Sequence, residues 1–332
     1  MLRPTTHNYP VNGKKTLLVT VLYNSEPMLA PWLAGVRQLC QDSAYPIQAS
    51  VVDNASDDGT VEKLRGMLQP EDPIQLIAHH QNVGWGAGNN IGLQAIDPVN
   101  LASFDAVVFL NPDVILPTEA HDAMRAALLE DPQVGGVIPQ MVDDQGTIRI
   151  PAFPNFTPTD SILGVFGWRG RHSSRWQHAH SDGTIQDLHG GYAEGSCVMI
   201  RQAALQQAGP FDETFFMYFD DTDLTHRLVK AGYHIQYRPE AVATDLPGKG
   251  SRTRIDCAEN RLDRYVHYIA SELPYYKKWH GRQIAIWLAR YKLYIDLPMR
   301  SLIWRFRHGS KGLRKRCASI VRAFLANQKE SV

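Results

Sequence analysis

The chain has 332 residues and is 44% hydrophobic, which suits one large α/β domain with an appendage and excludes a disordered protein. Its formal net charge is zero, but residues 247–332 contain 19 Lys and Arg against 6 Asp and Glu, a net charge of about +13 that leaves about −13 elsewhere. An acidic body with a basic tail predicts two surfaces with different partners.

The four cysteines are scattered and lack the paired spacing of a metal or redox site; they are Cys40, Cys197, Cys257 and Cys317. Such usage is typical of a reducing cytosol. Residues 1–15 are polar and do not have the pattern of a signal peptide. No uncharged apolar run reaches the ~18–20 residues that a membrane span needs. The sequence therefore predicts a cytoplasmic protein that is free or lies on a membrane without crossing it.

Strands and helices alternate in the first half of the chain. In order they are the strand 17–23, the helix 28–40, the strand 50–53, the helix 56–68, the strand 74–78, a helix opened by the Gly/Asn-rich loop 82–90, and the strand 106–111. Continuous apolar strands that alternate with helices are typical of a doubly wound, mostly parallel α/β sheet.

The second half is less regular. Residues 150–189 are rich in Pro, Gly, Arg, Trp and His, which predicts a long, partly irregular loop beside the site. Residues 195–207 return to strand and helix. The aromatic run Phe215–Phe219 is interpreted as another buried strand, and the helix 220–231 that follows it ends at Gly232.

After Pro247 the chain is predicted to be mostly helical, with apolar residues at helical spacing and basic residues between them. Three apolar stripes comprise Ile284, Trp287, Leu288, Tyr291 and Ile295; Met299, Leu302, Ile303 and Phe306; and Leu313, Cys317, Ile320, Val321 and Phe324. Such helices pack on the protein body more often than they lie on lipid. The excess of positive charge and the interleaved Trp and Tyr residues favour the alternative, an anionic membrane surface.

Three apolar runs end in aspartates followed by turn-forming residues. Asp53 ends the second strand, Asp113 follows the fourth, and the third run precedes Asp220, Asp221 and Asp223. In open α/β sheets the ligand binds beyond the carboxyl ends of the strands. Carboxylates crowded there repel one another unless a cation or an acid–base task holds them. The pattern therefore predicts a hard divalent cation and a phosphate-bearing ligand.

Each motif alone has an ordinary explanation, because Asp often starts turns and acidic residues favour the first turn of a helix. The Gly84-x-Gly86 loop superficially matches a dinucleotide fingerprint, but it follows the third strand and has Asn89 where the third glycine belongs. Glycines before a helix N-terminus can still bring backbone N–H groups close to a phosphate. The order of the motifs, rather than any one of them, carries the functional prediction.

Taken in order, these motifs resemble the family 2 glycosyltransferases, and most closely the rhamnosyltransferase-like branch that builds bacterial surface polysaccharides. The motifs are Tyr23-Asn24, Val51–Thr60, Asn82–Asn90, Asn111–Asp113, Phe211–Glu213 and Asp220–Leu224. The resemblance implies a GT-A catalytic domain over residues 16–250, preceded by the tail 1–15 and followed by a basic helical extension, 251–332. It also implies a nucleoside-diphosphate-sugar donor, Mg²⁺ or Mn²⁺, and inversion at the anomeric carbon, with rhamnose as one candidate sugar.

The resemblance assigns roles by motif. Donor-side residues would be Tyr23, Asn24, Asp53 and Ser56 around the nucleoside, with Asn82, Gly84, Asn90 and Asn111 beside the nucleotide sugar. Asp113 would hold the metal, Gly195 would allow close approach of donor or acceptor, and Asp212 and Glu213 would precede the acceptor-side motif. Asp221 would be the catalytic base, beside Asp220.

Two positions depart from the family pattern. Asp220 stands where the family usually has Glu, and the family's His near Thr244 is absent, so Asp245 is a candidate metal ligand in its place. The expected chemistry needs one carboxylate to take the proton of an acceptor hydroxyl as the C–O bond forms. A cation would neutralise the leaving diphosphate.

The acceptors of this branch are often polyprenyl-diphosphate-linked glycans, which predicts a place on the cytoplasmic face of the inner membrane; no nucleic-acid partner is expected. Two rival functions use similar residues. A nucleotidyltransferase would have a basic Gly-rich loop after the first strand, where this chain has Tyr23-Asn24-Ser25-Glu26. A non-catalytic nucleotide- or carbohydrate-binding protein on the same scaffold would not need both Asp113 and Asp221.

Overall fold

The structure, a computed structural model, describes residues 15–96, 101, 103–163, 191–246, 258–300 and 313–328, without the side chains of 258–264 and 313. The strands are β1 (Lys15–Leu22), β2 (Ile47–Asn54), β3 (Ile74–His79), β4 (Phe104–Leu110), β5 (Val114–Ile115), β6 (Val134–Val142), β7 (Ile148–Arg149), β8 (Ala152–Pro154), β9 (Gly191–Ala193), β10 (Cys197–Arg201) and β11 (His234–Asp245). The helices are α1 (Leu29–Asp42), α2 (Thr60–Met67), α3 (Trp85–Gln94), α4 (Thr118–Glu130), α5 (Pro158–Leu163), α6 (Gln202–Ala208), α7 (Asp220–Lys230), α8 (Ala258–His280), α9 (Arg282–Tyr291) and α10 (Leu313–Asn327).

The central sheet has the strand order β3-β2-β1-β4-β10-β6-β11-β5. Strands β1 to β4 are parallel, β10 is antiparallel to both of its neighbours, and β6 and β11 are parallel to each other. The prediction of a doubly wound, mostly parallel sheet is therefore confirmed. Because the ends of β1 and β2 pair Leu22 with Asp53, and Cys197 at the start of β10 pairs with Leu110, the predicted motifs meet at one edge.

Helices cover both faces of the sheet. Alternate residues of β1 point to opposite faces, as the twofold repeat of a strand requires, so Leu18 and Leu17 belong to different hydrophobic clusters. The cluster around Leu18 includes Trp32 of α1 and Met124 of α4, and the cluster around Leu17 includes Leu224 of α7. The two cores fix the strands, and with them the loops at the carboxyl edge.

Helices α8, α9 and α10 share a third hydrophobic cluster with the body of the protein. Its members include Phe156, Tyr192, Phe215 and Phe219 from the body and Ile269, Leu273, Tyr275, Leu288, Cys317 and Val321 from the C-terminal helices. Much of the apolar surface predicted for these helices is thus packed on the body. No helix among the described residues has the length and apolar composition to cross a membrane.

The first predicted C-terminal stripe is only partly correct. Leu288 is fully buried together with Ala285 and Ala289, whereas Trp287 and Ile295 are exposed, because α9 meets the body through its small side chains. A π-helix, Lys292–Asp296, continues α9. The second stripe, which begins at Met299, lies mostly outside the described residues, and the third contributes Cys317 and Val321 to the core.

One other expectation is wrong. The aromatic run Phe215–Phe219 forms a turn rather than a strand, because Tyr218 and Phe219 adopt positive φ angles that a strand does not allow. The region predicted as a long, partly irregular loop contains the short elements β8 and α5, and its residues 164–190 lie outside the described part of the chain. Strands β6 and β11 were not predicted; they lie beyond β10, on the side of the sheet away from β3.

Candidate functional site

The loops after β1 and β2 form one hydrogen-bonded unit at the carboxyl edge. The Asn24 N–H donates to Ser56 Oγ over 2.8 Å, and the Asp57 N–H donates to Asn24 Oδ1 over 2.9 Å. The Tyr23 side chain is 50% exposed beside them. The structure therefore brings together the residues predicted to surround the nucleoside.

Asp53 lies at the base of this unit and is almost fully buried. Its Oδ2 accepts a hydrogen bond from the Ser56 N–H at 3.0 Å, while its Oδ1 is buried with no hydrogen-bond partner among the described residues. A buried carboxylate oxygen without a partner is costly. It is the feature expected where a ligand supplies the missing donor.

Asn54, which sequence reasoning did not single out, organises the neighbouring loop. Its amide donates to Asn82 Oδ1 and to the Gly84 carbonyl, both at 3.0 Å, and its Oδ1 accepts from the Val83 N–H. Gly84 has φ +92°, and a Cβ there would lie 2.1 Å from the Phe216 carbonyl oxygen. Asn82 and Gly84 are thus held rigidly between β2 and the aromatic turn, which we define as residues 215–219.

Trp85, the first residue of α3, joins three predicted positions. Its indole N–H donates to Asn111 Oδ1 at 3.0 Å, and its ring lies against Gly195, where a Cβ would approach it to 2.5 Å. The Trp85 ring therefore lies where a Cβ on Gly195 would be, and close approach of donor or acceptor at Gly195 stays a prediction. The Gly195 N–H in turn donates to Asp221 Oδ2 at 3.2 Å, so Asn111, Gly195 and Asp221 are linked through short contacts.

Asp220 and Asp221 begin α7, directly after the aromatic turn. Asp221 is half-buried, and its Oδ1 accepts from the Thr222 N–H at 2.6 Å. Asp220 is buried; its Oδ1 accepts from the Asp221 N–H at 3.1 Å, and its Oδ2 has no hydrogen-bond partner among the described residues. The two carboxylates therefore differ in their access to a ligand.

The electrostatics separate the pair further. Burial, and then the charge of Asp221, raises the pKa of Asp220 to about 8. Burial also raises the pKa of Asp221, to about 6, against the hydrogen bonds from Gly195 and Thr222. Interacting carboxyls titrate as a pair. Because the pKa of Asp220 is raised further than that of Asp221, Asp221 is the member of the pair that loses its proton more readily, which suits a general base.

Backbone conformations that non-glycine residues rarely adopt are concentrated at this edge. Among the described residues the non-glycine positions with positive φ are Asn24, Ala55, Tyr218 and Phe219. Asn24 and Ala55 follow β1 and β2, and the other two precede Asp220. Such conformations persist where the surrounding structure fixes them, and they are common at functional sites.

Asp113 and Asp245 lie on adjacent segments. Asp245, at the end of β11, pairs with Val114 of β5, and the Leu246 N–H donates to the Asp113 carbonyl at 2.7 Å. Arg149 of β7 bridges two carboxylates: it donates to Asp245 at 3.0 Å and forms an ion pair with Glu194. Arg149 thus connects the side of the site with Asp245 to the side with Gly195 and Asp221.

Asp113 and Asp245 suit a cation that is coordinated by diphosphate oxygens as well as by protein carboxylates. Asp113 and Asp245 are hard oxygen donors, and the described residues contain no cluster of three or more His, Cys, Asp or Glu side chains able to hold a metal alone. Mg²⁺ in phosphate sites typically takes one or two carboxylates together with phosphate oxygens. The donor set therefore suits Mg²⁺ or Mn²⁺ bound with the ligand's phosphates.

The remaining predicted residues make structural contacts. Asn90 is buried; its amide donates to the Phe211 carbonyl and to Glu213 Oε1, and its Oδ1 accepts from the Phe211 N–H. Asp212 accepts from Lys278 Nζ at 2.7 Å; although burial alone would raise its pKa, the hydrogen bonds from Lys278 and Thr214 hold the pKa below its usual value. By their hydrogen bonds, Asp212 and Glu213 are tied to α8 and α3 rather than to Asp221.

Asp223, counted with the strand-end aspartates in the sequence, does not face a crevice. It is fully buried, accepts hydrogen bonds from Arg227 Nε at 2.8 Å and the Trp279 indole N–H at 2.9 Å, and forms an ion pair with Lys278 Nζ at 2.7 Å. It therefore fastens α7 to α8, and the expectation that all the aspartates point into one site is wrong at this position.

Sequence reasoning did not single out Asn54, Trp85, Arg149 or Glu194. Asn54 lies in the motif Val51–Thr60 and Trp85 in the motif Asn82–Asn90. Both could have been proposed on the argument that two adjacent loops need a side chain that holds them together. Arg149 and Glu194 lie far apart in the chain and follow no motif, so only the pairing of β7 with β6 and of β8 with β9 brings them together.

The family model for Glycosyl transferase family 2 matches residues 17–207. N-acetylglucosaminyl-diphospho-decaprenol L-rhamnosyltransferase of Mycobacterium tuberculosis is 30% identical over 233 residues, which cover 68% of this chain and 73% of that protein. Low-salt glycan biosynthesis hexosyltransferase Agl10 of Haloferax volcanii is 27% identical over 186 residues, 56% of this chain and 54% of Agl10. The family match includes the loops of the donor side.

The fold has a counterpart among solved structures. The mannosyltransferase PcManGT from Pyrobaculum calidifontis, in complex with GDP-Man and Mn²⁺, matches 97% of this chain and 89% of its own with a TM-score of 0.51 and 18% identity. At that identity the likeness concerns the fold, and it confirms the predicted GT-A architecture. Asp220 and Asp221 lie beyond the residues that the family model matches, so their placement rests on the geometry described above.

Proposed function

The chain belongs to glycosyl transferase family 2 and is a glycosyltransferase, and from that premise we propose that it transfers a sugar, with inversion, from a nucleoside diphosphate to a hydroxyl of a lipid-linked glycan. In this proposal residues 16–250 carry the catalytic site and residues 251–332 form a basic helical extension. The observation that carries the chemistry is the Asp221 carboxylate, half-buried and held by two backbone N–H groups.

Asp221 would act as the general base. The Gly195 and Thr222 N–H groups fix its orientation, and Asp221 is half-buried whereas Asp220 is buried. A sugar hydroxyl is a poor nucleophile near pH 7, so a positioned carboxylate that takes its proton accelerates attack on the anomeric carbon. A single accessible carboxylate suits direct displacement, which inverts the anomeric centre.

The donor would bind across the loops after β1, β2 and β4. Asp53 offers its unpartnered Oδ1 to an N–H or O–H of the nucleoside, and the exposed Tyr23 ring is available to stack on a base. Asp113, with Asp245 as the second candidate, would hold Mg²⁺ or Mn²⁺ beside the diphosphate. When bound, such a cation neutralises charge on the leaving group.

The proposed acceptor and sugar come from the relatives. The Mycobacterium tuberculosis protein is named for rhamnosyl transfer to N-acetylglucosaminyl-diphospho-decaprenol, and Agl10 is a hexosyltransferase of glycan biosynthesis. We therefore propose rhamnose as the first donor sugar to test and a polyprenyl-diphosphate-linked glycan as the acceptor class. The product would serve the synthesis of cell-surface polysaccharide.

A lipid-linked acceptor calls for a protein surface that meets the membrane. Four large apolar side chains on α9 and the π-helix that follows it are between 38% and 73% exposed: Ile284, Trp287, Tyr294 and Ile295. Arg290 is exposed nearby, and Arg314 and Lys315 are exposed on α10. Aromatic and basic side chains together suit the headgroup region of an anionic leaflet, so we propose peripheral binding at the cytoplasmic face of the inner membrane.

The direct test of function is transfer from a panel of nucleoside-diphosphate sugars, rhamnose included, to a synthetic polyprenyl-diphosphate N-acetylglucosamine acceptor. Mass spectrometry should detect an acceptor that has gained one sugar, with release of the nucleoside diphosphate. Release of nucleotide without a glycosylated acceptor would reject this acceptor class. Binding of donor without either product would favour the non-catalytic alternative.

The membrane proposal is tested on surface side chains that are not part of the core. Trp287→Ser with Tyr294→Ser should leave the melting temperature unchanged and reduce flotation with anionic vesicles. Leu129→Ser removes a side chain that is 52% exposed on the body and serves as the matched control. Equal flotation of all three proteins at low and high salt would reject the membrane surface, because the charge contribution is screened within about 8–10 Å at physiological ionic strength.

A further inference from the structure

The turn that precedes Asp221 is held by a helix distant in sequence. Tyr218 and Phe219 have φ of +67° and +68°, in the left-handed region that L side chains rarely adopt. Two such residues in succession do not hold their conformation on local preference alone, so contacts from elsewhere must fix them. Their position directly before Asp220 means that the conformation of this turn sets where α7 begins.

Helix α8 makes those contacts. Ser271, which is 1% exposed, donates from Oγ to the Met217 carbonyl at 2.8 Å, at the residue immediately before the two left-handed positions. The Phe219 ring packs against the rings of Tyr268 and Tyr275 with centroids 5.2 and 4.8 Å apart. The backbone and the ring of the turn are therefore both fixed by one face of α8.

A second link lies one step further along α7. Asp223 accepts hydrogen bonds from the Trp279 indole N–H at 2.9 Å and is paired with Lys278 Nζ at 2.7 Å. Lys278 also reaches Asp212, before the turn. The segment that contains Asp221 is thus fastened to α8 on both sides, while the Asp221 carboxylate itself bonds to Gly195 and Thr222.

We propose that α8 is the positioning element for the catalytic base, with Ser271 as the positioning residue that holds the left-handed turn and so aims the Asp221 carboxylate. The inference rests on the proposed function for its catalytic consequence, but the mechanical part concerns the fold alone. Ser271 touches no reacting atom and acts through the Met217 carbonyl.

The mechanical part is tested by hydrogen exchange on the full chain, without substrate. Ser271→Ala should raise amide exchange in the segment 215–223 by roughly five- to tenfold, the effect of one lost hydrogen bond. Ser161→Ala is the matched control, since Ser161 Oγ is buried and donates to Glu272, the next residue of α8, at 2.7 Å without touching the turn. Equal exchange of this segment in the two variants would overturn the inference.

The catalytic part is tested by kinetics on the same proteins. Ser271→Ala should lower kcat by roughly five- to tenfold and leave the KM for the donor unchanged, and Ser161→Ala should change neither. A turn that exchanges faster while kcat stays at the wild-type value would overturn the positioning role. If the wild type transfers no sugar, the proposed function fails, and the exchange result still decides whether α8 holds the turn.

A second variant covers the case in which Ser271→Ala does not fold. Trp279→Phe keeps an aromatic ring and removes the indole N–H that donates a hydrogen bond to Asp223. It should produce the same pattern of faster exchange in 215–223 and lower kcat with unchanged donor KM. Wild-type exchange and wild-type kcat in this variant would overturn the inference.

Discussion

The two halves of the proposed site are held in different ways. On the donor side, Asn24, Asp53 and Ser56 lie at or just after the ends of the paired parallel strands β1 and β2 and bond to one another there. On the base side, Asp221 follows a turn in an unfavourable conformation that α8 holds through Ser271. The donor side is thus a product of the sheet, and the base side depends on the C-terminal helices.

The difference lies in which part of the fold each half depends on. A donor pocket made of strand ends is fixed by the sheet, whose core the structure buries completely at residues such as Leu18 and Val108. The base is fixed by contacts from α8, which lies beyond the residues that the family model matches. Contacts from the C-terminal helices therefore bear directly on the proposed base, and they reach the proposed donor side only through the aromatic turn, against which Gly84 packs.

The largest expected effect separates the two halves most sharply. Asp221→Asn should lower kcat at least about 100-fold, as expected for loss of a general base, while donor affinity measured by calorimetry stays unchanged. Wild-type turnover in this variant would reject the assignment. If activity is lost only when Asp220→Asn is made, the role belongs to Asp220.

The same carboxylate predicts the pH dependence. Because burial raises the pKa of Asp221 to about 6 and the base works only when ionised, kcat should rise with pH through about 6. A rate measured from pH 5 to pH 8 that does not fall on the acid side would contradict an Asp221 base.

Asp113 tests the diphosphate end of the donor side. Asp113→Ala should weaken binding of the nucleoside diphosphate by roughly 10- to 100-fold in the presence of Mn²⁺ and change it little without metal. Asp245→Asn is the informative comparison, since Arg149 already engages that carboxylate and a smaller loss is expected. Calorimetry that gives the same wild-type affinity with and without Mn²⁺ would reject the metal role of both residues.

Asp53 tests the nucleoside end. Asp53→Asn should lower nucleotide affinity by about tenfold and leave kcat at saturating donor unchanged, because the variant can keep the Ser56 contact only by turning an NH₂ group toward the pocket. Asp57→Asn, which removes an exposed carboxylate of the same loop, is the control. A fall in kcat with unchanged affinity would mean that the two halves are not separable.

The sequence predicted the donor side because its signals are local. Asp53 and Asp113 follow apolar runs that are typical of buried strands, and parallel strands end at one edge of a sheet. The resemblance to a known family then supplied roles that spacing alone does not. Asn54 was missed because the sequence pattern is the same whether a polar residue at a strand end only forms a turn or hydrogen-bonds to a neighbouring loop.

The base side could not be predicted to the same degree. An aromatic run such as Phe215–Phe219 has the composition of a strand, and its bend is held by contacts distant in sequence, among them those from Ser271, Tyr268 and Tyr275. Likewise, α9 is apolar on more than one face. Which face meets the body depends on the close packing of Ala285 and Ala289, and periodicity does not reveal it.

The smallest expected effect is on the melting temperature, which the buried Asp220 carboxyl lowers when it is ionised. Burial raises the pKa of Asp220 to about 8, so the folded state favours its protonated form, and that stability is present at low pH and is lost as pH rises through about 8. Asp220→Asn mimics the protonated form. Its melting temperature should therefore exceed that of the wild type by on the order of a few degrees at pH 8, with the difference shrinking toward pH 4.

Two comparisons make this result specific. Asp57→Asn, on an exposed position of the donor side, should show no difference from the wild type that depends on pH. Because Asp221 titrates together with Asp220, Asp221→Asn measured over the same pH range shows how much of the difference depends on the charge of Asp221. A difference in melting temperature that is constant from pH 4 to pH 9 would mean that Asp220 is ionised throughout. The unpartnered Oδ2 would then need a positive partner, and the assignment of Asp221 as the ionised member of the pair would lose its electrostatic basis.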